Sequence, residues 1–460
     1  MSRLVIVSNR VADLTNTAQA GGLAVGVGDS LRQRGGVWLG WDGQRLKYEE
    51  PPEPRIRKMG PVSLATIPLT QQDYEEYYLG FSNSVLWPLF HYRLDLVDYK
   101  SEFLEGYRRV NGKFADALMT ILQPDDVIWI HDYHLIPLAS ELRRRGCTQR
   151  MGFFLHIPFP PPEILAAVPR HKWLVECLLD FDVLGFQTNT DLGNLQHYVA
   201  DQLGCEMSGN VIRTGEREVI SGCFPIGIDV DAFSQMAQRP NEEVQIETHR
   251  RRVLRRKQII GVDRLDYTKG LPDRLRAFER LLELYPEHVK NVALIQIATP
   301  TREEVEAYAD IRRELEALSG AINGRYADFN WTPVRYMYRT VPRDALAALF
   351  RVSQVGFVTP LRDGMNLVAK EYVAAQSMDD PGVLVLSKFA GAAEELREAL
   401  IVNPYDSDDM ARALNRALTM SLEERQERQQ ALIDRIREKD ANWWLKSFMD
   451  ALENRNPVPA

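Results

Sequence analysis

Two cationic side chains in one short segment are the clearest candidates for chemistry. The segment Val262–Gly270 (VDRLDYTKG) follows an apolar run and carries Arg264 and Lys269 just before a glycine and a helical pattern. Cations beside a helix N-terminus suit a diphosphate, because the side chains and the backbone N–H groups all favour negative charge. Asp263 and Asp266 in the same segment leave open the alternative of a local ion-pair cluster.

A second polar segment, Thr359–Glu371 (TPLRDGMNLVAKE), follows another apolar run. It places Asp363 beside the flexible Gly364, and Glu371 stands one helical turn further along. A carboxylate at the start of a helix can accept hydrogen bonds from ribose hydroxyls, as the acidic residue of dinucleotide-binding folds does. The pattern favours a ligand site over a purely structural role.

Three histidines follow two apolar runs in the first half of the chain. His131 and His134 belong to the motif HDYH, and His156 precedes the proline-rich stretch PFPPP. In an open α/β sheet, polar residues at the carboxyl ends of strands face the ligand, which makes these histidines site candidates. Structural roles are one alternative. Zinc is another, although no carboxylate or third ligand stands at metal-site spacing.

The glycine-rich segment Ala20–Gly28 is a weaker candidate. It follows the first apolar run, where glycines would let a phosphate approach backbone N–H groups. Its spacing differs from the GxGxxG of dinucleotide folds, which disfavours a hydride-transfer cofactor. A tight structural turn is the alternative.

The elements that must position these residues are short apolar strands alternating with amphipathic helices, a pattern typical of a parallel sheet covered on both faces. The predicted strands are Leu4–Ser8, Asp126–His131, Met151–Ile157, Val183–Gln187, Gln258–Val262, Val292–Ala298, Val334–Tyr338, Val355–Thr359, Val383–Leu386 and Leu400–Val402. The predicted helices include Glu102–Leu122, Leu135–Arg145, Pro272–Leu284, Arg302–Leu318, Asn366–Gln376 and Leu422–Leu452.

The alternation is interrupted by the polar stretch Ala237–Glu247 and the basic run Arg250–Lys257, which is typical of a solvated helix face. Two α/β series separated by such a break predict two doubly wound, Rossmann-like domains facing across a cleft. We expect an N-terminal domain at residues 1–236 and a second domain at 237–438. A C-terminal helix at 439–460 is expected to pack back on one of the two domains, and the N-terminal domain is the preferred one.

Composition excludes several classes of protein. The chain has 460 residues, 45% hydrophobic and 26% charged, which is typical of a globular protein and not of a disordered chain. Its net charge of −8 argues against a nucleic-acid partner. No apolar run approaches the ~18 residues that cross a bilayer, so no membrane partner is expected. Four dispersed cysteines favour reduced thiols and a cytoplasmic location.

The motifs together resemble those of the trehalose-6-phosphate synthases, retaining glycosyltransferases of the GT-B fold with two Rossmann-like domains. The resemblance runs almost end to end and is weakest near residues 45–60 and 204–220. The matching segments are Ser8–Arg10, Gly21–Gly22, Trp38–Trp41, Asn83–Arg93, Ile130–His134, Phe154–Pro158, Gly185–Gln187, Arg264–Gly270 and Arg362–Glu371.

The resemblance implies transfer of glucose from a nucleotide sugar, usually UDP-glucose, to glucose 6-phosphate with retention of configuration. The products would be α,α-trehalose 6-phosphate and UDP. Three alternatives stay open: a GDP- or ADP-glucose donor, another phosphorylated acceptor such as glycerol 3-phosphate, and a catalytically silent sensor of sugar phosphates. The family is often a homo-oligomer, a dimer or a tetramer.

The resemblance also implies site residues. Those expected to bind the acceptor are Arg10, Tyr78, Trp87, Asp132 and Arg302. Those expected to bind the donor are Gly21, Gly22, Arg264, Lys269, Val341, Asp363, Leu367, Val368, Ala369, Lys370 and Glu371. The expected catalytic residues are His156, Arg264, Lys269 and Asp363. Because the two cations would stabilise the departing diphosphate electrostatically, no metal and no other cofactor is expected.

Overall fold

The structure is a computed structural model that describes residues 2–11, 31, 35–48, 53–215, 217–241, 244–245, 248, 256–302 and 304–454. The predicted donor residues Gly21 and Gly22, and most of the basic run Arg250–Lys257, lie outside the described residues. The chain divides into two compact units. The first comprises Met1–Ile226 with Trp443–Ala460, and the second comprises Gly227–Asn442.

The first unit contains a ten-stranded sheet in the order β3-β4-β2-β1-β5-β6-β7-β10-β9-β8. Strands β4 to β10 in this order are parallel, whereas β3, β8 and β9 pair antiparallel at the two edges. The strands are β1 (Leu4–Arg10), β2 (Gly36–Leu46), β3 (Arg55–Met59), β4 (Val62–Thr70), β5 (Val127–His131), β6 (Arg150–Phe154), β7 (Val183–Phe186), β8 (Glu206–Ser208), β9 (Val211–Thr214) and β10 (Arg217–Cys223).

Helices cover this sheet. They are Gln71–Asp73, the π-helical segment Tyr74–Leu86, Trp87–Phe90, Ser101–Ile121, Leu138–Arg144, Pro162–Leu165, His171–Leu178, Asn189–Leu203 and the C-terminal helix Ala441–Asn454. All five residues of β5 are buried, as expected for a central strand with helices on both faces.

The second unit has a parallel six-stranded sheet in the order β13-β12-β11-β14-β15-β16. Its strands are β11 (Lys257–Arg264), β12 (Val292–Thr299), β13 (Val334–Tyr338), β14 (Val355–Val358), β15 (Val383–Ser387) and β16 (Leu400–Val402). Its helices are Val230–Gln238, Leu271–Leu284, Glu306–Tyr326, Arg343–Arg351, Leu367–Ala375, Ser407–Thr419 and Leu422–Glu438.

Strand order locates the ligand crevice within each unit. In a Rossmann-like sheet the order reverses beside the first strand, and ligands bind at the carboxyl ends of the two strands that flank this switch point. The flanking strands are β1 and β5 in the first unit and β11 and β14 in the second. The predicted class, two Rossmann-like doubly wound α/β domains of the GT-B kind, is confirmed by these sheets and by the similarity reported below.

Several predicted boundaries are wrong for local reasons. The helix expected at Arg302–Leu318 is Glu306–Tyr326, because Arg302 has a φ of 45°, which no right-handed helix accommodates. The helix expected at Leu422–Leu452 is broken at residues 439–440, where the chain passes over Gly227. A Cβ atom on Gly227 would lie 2.3 Å from the Lys439 carbonyl oxygen, so this crossing requires glycine.

The C-terminal helix fills a gap that two glycines leave in the first unit's sheet. A Cβ on Gly152 or Gly185 would lie within 2.7–2.8 Å of the Phe448 ring. That ring stacks on Trp129 of β5 at a centroid distance of 4.6 Å. Within the described residues, no helix is both long and apolar enough to cross a membrane.

Candidate active site

Four of the five predicted acceptor residues lie around the switch point of the first unit. They are Arg10, Tyr78, Trp87 and Asp132. Arg10 ends β1, and its guanidinium lies 5.6 Å from the centre of the Trp41 ring. Trp41 contacts Tyr78 at a centroid distance of 5.9 Å, and Tyr78 stacks on His134 at 6.0 Å. Trp87 continues this aromatic wall, since it lies 5.7 Å from Tyr133.

A π-helical segment presents Tyr78 to this wall. The side chain of Asn83 donates to the Tyr78 carbonyl at 2.8 Å, and the Ser84 hydroxyl donates to the Leu79 carbonyl at 2.8 Å. Both side-chain bonds lie within the π-helical segment Tyr74–Leu86, and π-helical turns are frequent at functional sites. Asn83 also accepts a hydrogen bond from the Tyr133 hydroxyl at 2.9 Å. Sequence reasoning missed the roles of Tyr133 and Trp41, although both stand inside matching motifs.

Asp132 has a strained backbone at the end of β5. Its φ is 76°, which is uncommon for a residue with a Cβ and marks a conformation that the surrounding structure enforces. Its N–H donates to the Phe154 carbonyl at 2.8 Å, and its Oδ1 accepts from the His156 N–H at 3.3 Å. The strain therefore turns the Asp132 carboxylate toward the start of the loop that carries His156.

Two of the predicted histidines form a hydrogen-bonded pair, in which His131 is buried and His156 is half-buried. Nδ1 of His131 lies 3.0 Å from Nε2 of His156. Burial lowers the pKa of His156 to about 3, and burial together with the neighbouring His156 holds the pKa of His131 well below its usual range. Both rings are therefore neutral at neutral pH, and one ring N–H is shared between the facing nitrogens.

Aromatic rings surround the back of this pair. The His131 ring lies 4.6 Å from Trp129 and 6.3 Å from Trp444 of the C-terminal helix, between centroids. Among the described residues, Nε2 of His131 has no hydrogen-bond partner. The sequence motifs marked both histidines as site candidates, but the structure gives them different surroundings. His131 is a buried supporting group, and His156 is half-buried beside Asp132.

The switch point of the second unit brings the two polar segments together. Lys269 lies in the loop after β11, and its Nζ is 2.5 Å from Oδ2 of Asp363 in the loop after β14. The same carboxylate oxygen accepts from Nδ2 of Asn366 at 3.0 Å. The loops are also joined along the backbone, because the Leu361 N–H donates to the Thr268 carbonyl at 2.8 Å.

Arg264 is exposed, whereas the two aspartates of its segment are buried. Asp263 pairs with the buried guanidinium of Arg274 at 2.7 Å. Asp266 lies 3.6 Å from Arg302, the fifth predicted acceptor residue, which thus belongs to the second unit. The ion-pair alternative holds for the aspartates, but their ion-pair partners Arg274 and Arg302 come from outside the segment.

The helix Leu367–Ala375 presents its N-terminus at this switch point. Asn366 caps it from a φ of 74°, with its side chain accepting from the Ala369 N–H at 3.3 Å. Leu367 and Val368 are half-buried and Ala369 is buried, so this first turn offers backbone N–H groups more than side chains.

The remaining donor candidates have structural partners. The buried Lys370 ammonium lies 2.6 Å from Glu395. Glu371 accepts from Arg343 at 3.1 Å, and burial raises the pKa of its carboxyl. Val341 is half-buried and precedes the helix Arg343–Arg351.

Comparisons with known proteins identify one family over almost the whole chain. The family described as Glycosyltransferase family 20 matches residues 5–454. A trehalose-6-phosphate synthase of Salmonella arizonae is 51% identical over 463 residues, covering 100% of this chain and 97% of that protein. One from an Enterobacter species is 50% identical over 461 residues, covering 99% and 96%.

Solved structures show the same similarity. An alpha,alpha-trehalose-phosphate synthase (UDP-forming) from Burkholderia xenovorans in complex with glucose-6-phosphate has a TM-score of 0.94 at 50% identity, covering 98% of this chain and 100% of that chain. An E. coli protein of the same kind, bound with UDP-2-fluoro glucose, has a TM-score of 0.95 at 48% identity, covering 99% and 100%.

Proposed function

The chain belongs to glycosyltransferase family 20 and transfers glucose from a nucleotide sugar to glucose 6-phosphate, and we propose that the residues at its two switch points carry out this transfer. The products are α,α-trehalose 6-phosphate and UDP. In the reaction, the anomeric hydroxyl oxygen of glucose 6-phosphate bonds to the anomeric carbon of the donor glucose. The bond from that carbon to the diphosphate oxygen breaks, and the proton of the attacking hydroxyl passes to the departing diphosphate.

The observation that carries the assignment is the contact between Lys269 and Asp363 across the second unit's switch point, 2.5 Å long. A diphosphate oxygen bonded to Lys269 and a glucose hydroxyl bonded to Asp363 would be neighbours, as they are in a nucleotide sugar. Arg264 and the N-terminus of the helix Leu367–Ala375 add favourable charge for the same diphosphate. We assign Glu371 to the ribose hydroxyls.

The charge that builds up in the transition state supports these roles. Negative charge grows on the departing diphosphate, and preorganised cations such as Arg264 and Lys269 stabilise it without reorganisation. Positive charge grows at the anomeric carbon. We assign His156 to the donor glucose, and its pKa of about 3 keeps its ring neutral, so that it adds no opposing positive charge there.

For the acceptor we propose Arg10, Tyr78, Trp87, Asp132 and Arg302. A sugar phosphate carries about −1.5 to −2 charges near neutral pH, and planar guanidinium groups bind phosphate oxygens well. The whole protein has a net charge of −8, so binding of two anionic substrates must depend on these few local cations.

The experiment that tests this proposal is an initial-rate assay of UDP release with each pairing of donor and acceptor. The donors are UDP-, GDP- and ADP-glucose, and the acceptors are glucose 6-phosphate and glycerol 3-phosphate. We expect the highest kcat/KM with UDP-glucose and glucose 6-phosphate. Faster reaction with glycerol 3-phosphate would contradict the acceptor assignment, and binding without any turnover would indicate a sensor.

The Lys269→Ala variant tests the donor assignment. It removes one charge-assisted contact to the diphosphate, which corresponds to a loss of roughly ten- to a hundredfold in turnover. Lys290→Ala is the matched control, because it removes an exposed lysine of the same unit that pairs with Asp328. Equal rates for both variants would refute the role of Lys269.

We further propose a cytoplasmic location and a homo-oligomer, either a dimer or a tetramer. Light scattering coupled to size-exclusion chromatography measures the oligomeric state, and a monomer at micromolar concentration would contradict this part of the proposal.

A further inference from the structure

A single buried carboxylate in the second unit contacts an acceptor residue and the loop that carries two donor residues. Asp266 is fully buried in the loop that carries Arg264 and Lys269. Its Oδ1 accepts from the Thr268 N–H at 2.9 Å, which shapes the donor loop. Its Oδ2 accepts from the hydroxyl of Tyr308 at 3.0 Å.

Tyr308 links this carboxylate to the acceptor arginine. Nη1 of Arg302 donates to the Tyr308 hydroxyl oxygen at 2.7 Å and lies 3.6 Å from Oδ2 of Asp266. Tyr308 is only 2% exposed, and the Arg302 side chain is 7% exposed. The Arg302 guanidinium is therefore placed by protein contacts more than by solvent.

Charge decides the direction of these hydrogen bonds. Burial by itself raises the pKa of Asp266, but the nearby Arg302, Arg264 and Lys269 hold it at about 2, so the group is a carboxylate and accepts only. The Tyr308 proton must then point to Asp266, which leaves the phenol oxygen to accept from Arg302. The hydrogen bonds therefore run in one direction, from Arg302 to the Tyr308 hydroxyl and from that hydroxyl to Asp266.

The backbone explains why Arg302 needs this support. Its φ of 45° is unusual for an arginine, and such conformations persist where neighbouring contacts enforce them. Two-point binding of a phosphate by a guanidinium also requires the guanidinium plane to be fixed. A hydrogen bond to a rigid, buried tyrosine supplies that constraint.

We propose that Tyr308 and Asp266 are positioning residues: the Tyr308 hydroxyl, held by Asp266, sets the Arg302 guanidinium for the acceptor phosphate, while the other oxygen of Asp266 holds the donor loop. This inference rests on the assignment of Arg302 to the acceptor. The inference predicts different effects for the two residues. Loss of the Tyr308 hydroxyl weakens binding of the acceptor alone, whereas loss of the Asp266 charge weakens binding of both substrates.

Calorimetric titrations of wild-type protein and variants test this separation. Glucose 6-phosphate is titrated in the presence of saturating UDP, and UDP is titrated alone. In Tyr308→Phe we expect the Kd of glucose 6-phosphate to rise about tenfold, since one hydrogen bond to a charged group is lost, with the Kd of UDP unchanged. In Asp266→Asn we expect both Kd values to rise. Tyr326→Phe, at the far end of the same helix, is the matched control and should change neither Kd.

Each outcome has one meaning. If Tyr308→Phe raises both Kd values equally, the hydroxyl has a general structural role and the inference is wrong. If it changes neither while Arg302→Ala weakens glucose 6-phosphate, the positioning role alone is refuted. If Arg302→Ala leaves glucose 6-phosphate binding unchanged, the acceptor assignment itself fails. Should Tyr308→Phe not fold, an unchanged Kd of glucose 6-phosphate in Asp266→Asn would overturn the inference.

Discussion

Lowering the pH should destabilise the first unit through the paired histidines His131 and His156. Both rings have a depressed pKa because burial disfavours the imidazolium form. In the unfolded chain each ring would have a pKa of about 6.5. Between pH 6.5 and 3 the unfolded state therefore binds more protons than the folded state. The stabilisation is complete above pH 6.5 and is lost as the pH falls.

The magnitude follows from the size of this shift. With a folded-state pKa of about 3, His156 alone lowers the free energy of unfolding by about 1.2 kcal/mol between pH 7 and pH 5.5. The pKa of His131 is lowered in the same direction, so His131 adds to this loss. The His156 contribution alone is about a tenth to a quarter of the stability of a typical domain.

Urea unfolding at pH 7, 6 and 5.5, followed by tryptophan fluorescence, measures this dependence. Trp129 and Trp444 lie beside the His131 ring and report on its surroundings. Between pH 7 and pH 5.5, the free energy of unfolding of the His156→Asn variant should fall by about 1.2 kcal/mol less than that of the wild type. His197→Asn removes an exposed histidine of the same unit and is the matched control.

The comparison uses the change of stability with pH, so a variant that is less stable at every pH is still informative. Equal pH dependence in the wild type and in His156→Asn would refute the reasoning, because it would mean that His156 is protonated as readily in the folded chain as in the unfolded chain.

Two further predictions concern buried groups. Arg274→Met leaves the Asp263 carboxylate buried without its guanidinium partner and should lower the free energy of unfolding by about 3–5 kcal/mol, whereas the double variant with Asp263→Leu should recover most of that loss, as measured by urea unfolding. Trp444→Ala empties a fully buried site against Trp129 and should cost about 3–5 kcal/mol in the same measurement; a change below 1 kcal/mol would contradict the packing described for the C-terminal helix.

Most of the parallel strands were predictable because they are local, uninterrupted apolar runs. The bounds of β13 and β16 agree with prediction, β14 ends one residue earlier than predicted, and β11 starts one residue earlier and ends two residues later. The strands β2, β3 and β4 were missed, since glycines and polar residues interrupt their apolar pattern. A sheet stabilises such segments through neighbouring strands, and one sequence window does not contain that information.

The supporting residues of the site could not be predicted from their own motifs. Trp444 reaches His131 only because the C-terminal helix packs in the first unit, far from β5 in sequence. Tyr308 lies in a helix whose predicted start was wrong, and its role depends on the hydrogen bond that its hydroxyl donates to Asp266. Both contacts join residues that are distant along the chain, so the spacing of residues within a motif does not predict them.

The sequence by itself determined the family, the reaction and the positions of the polar segments at strand ends, because motif length and apolar periodicity are properties of the chain. Only the tertiary structure decided which of those polar groups meet. The order β12-β11-β14 sets the Lys269 loop against Asp363, and packing of the helix Glu306–Tyr326 sets Arg302 and Tyr308 against Asp266. Strand order and helix packing arise from burial of the whole core, and that core alone places side chains 2.5–3.0 Å apart.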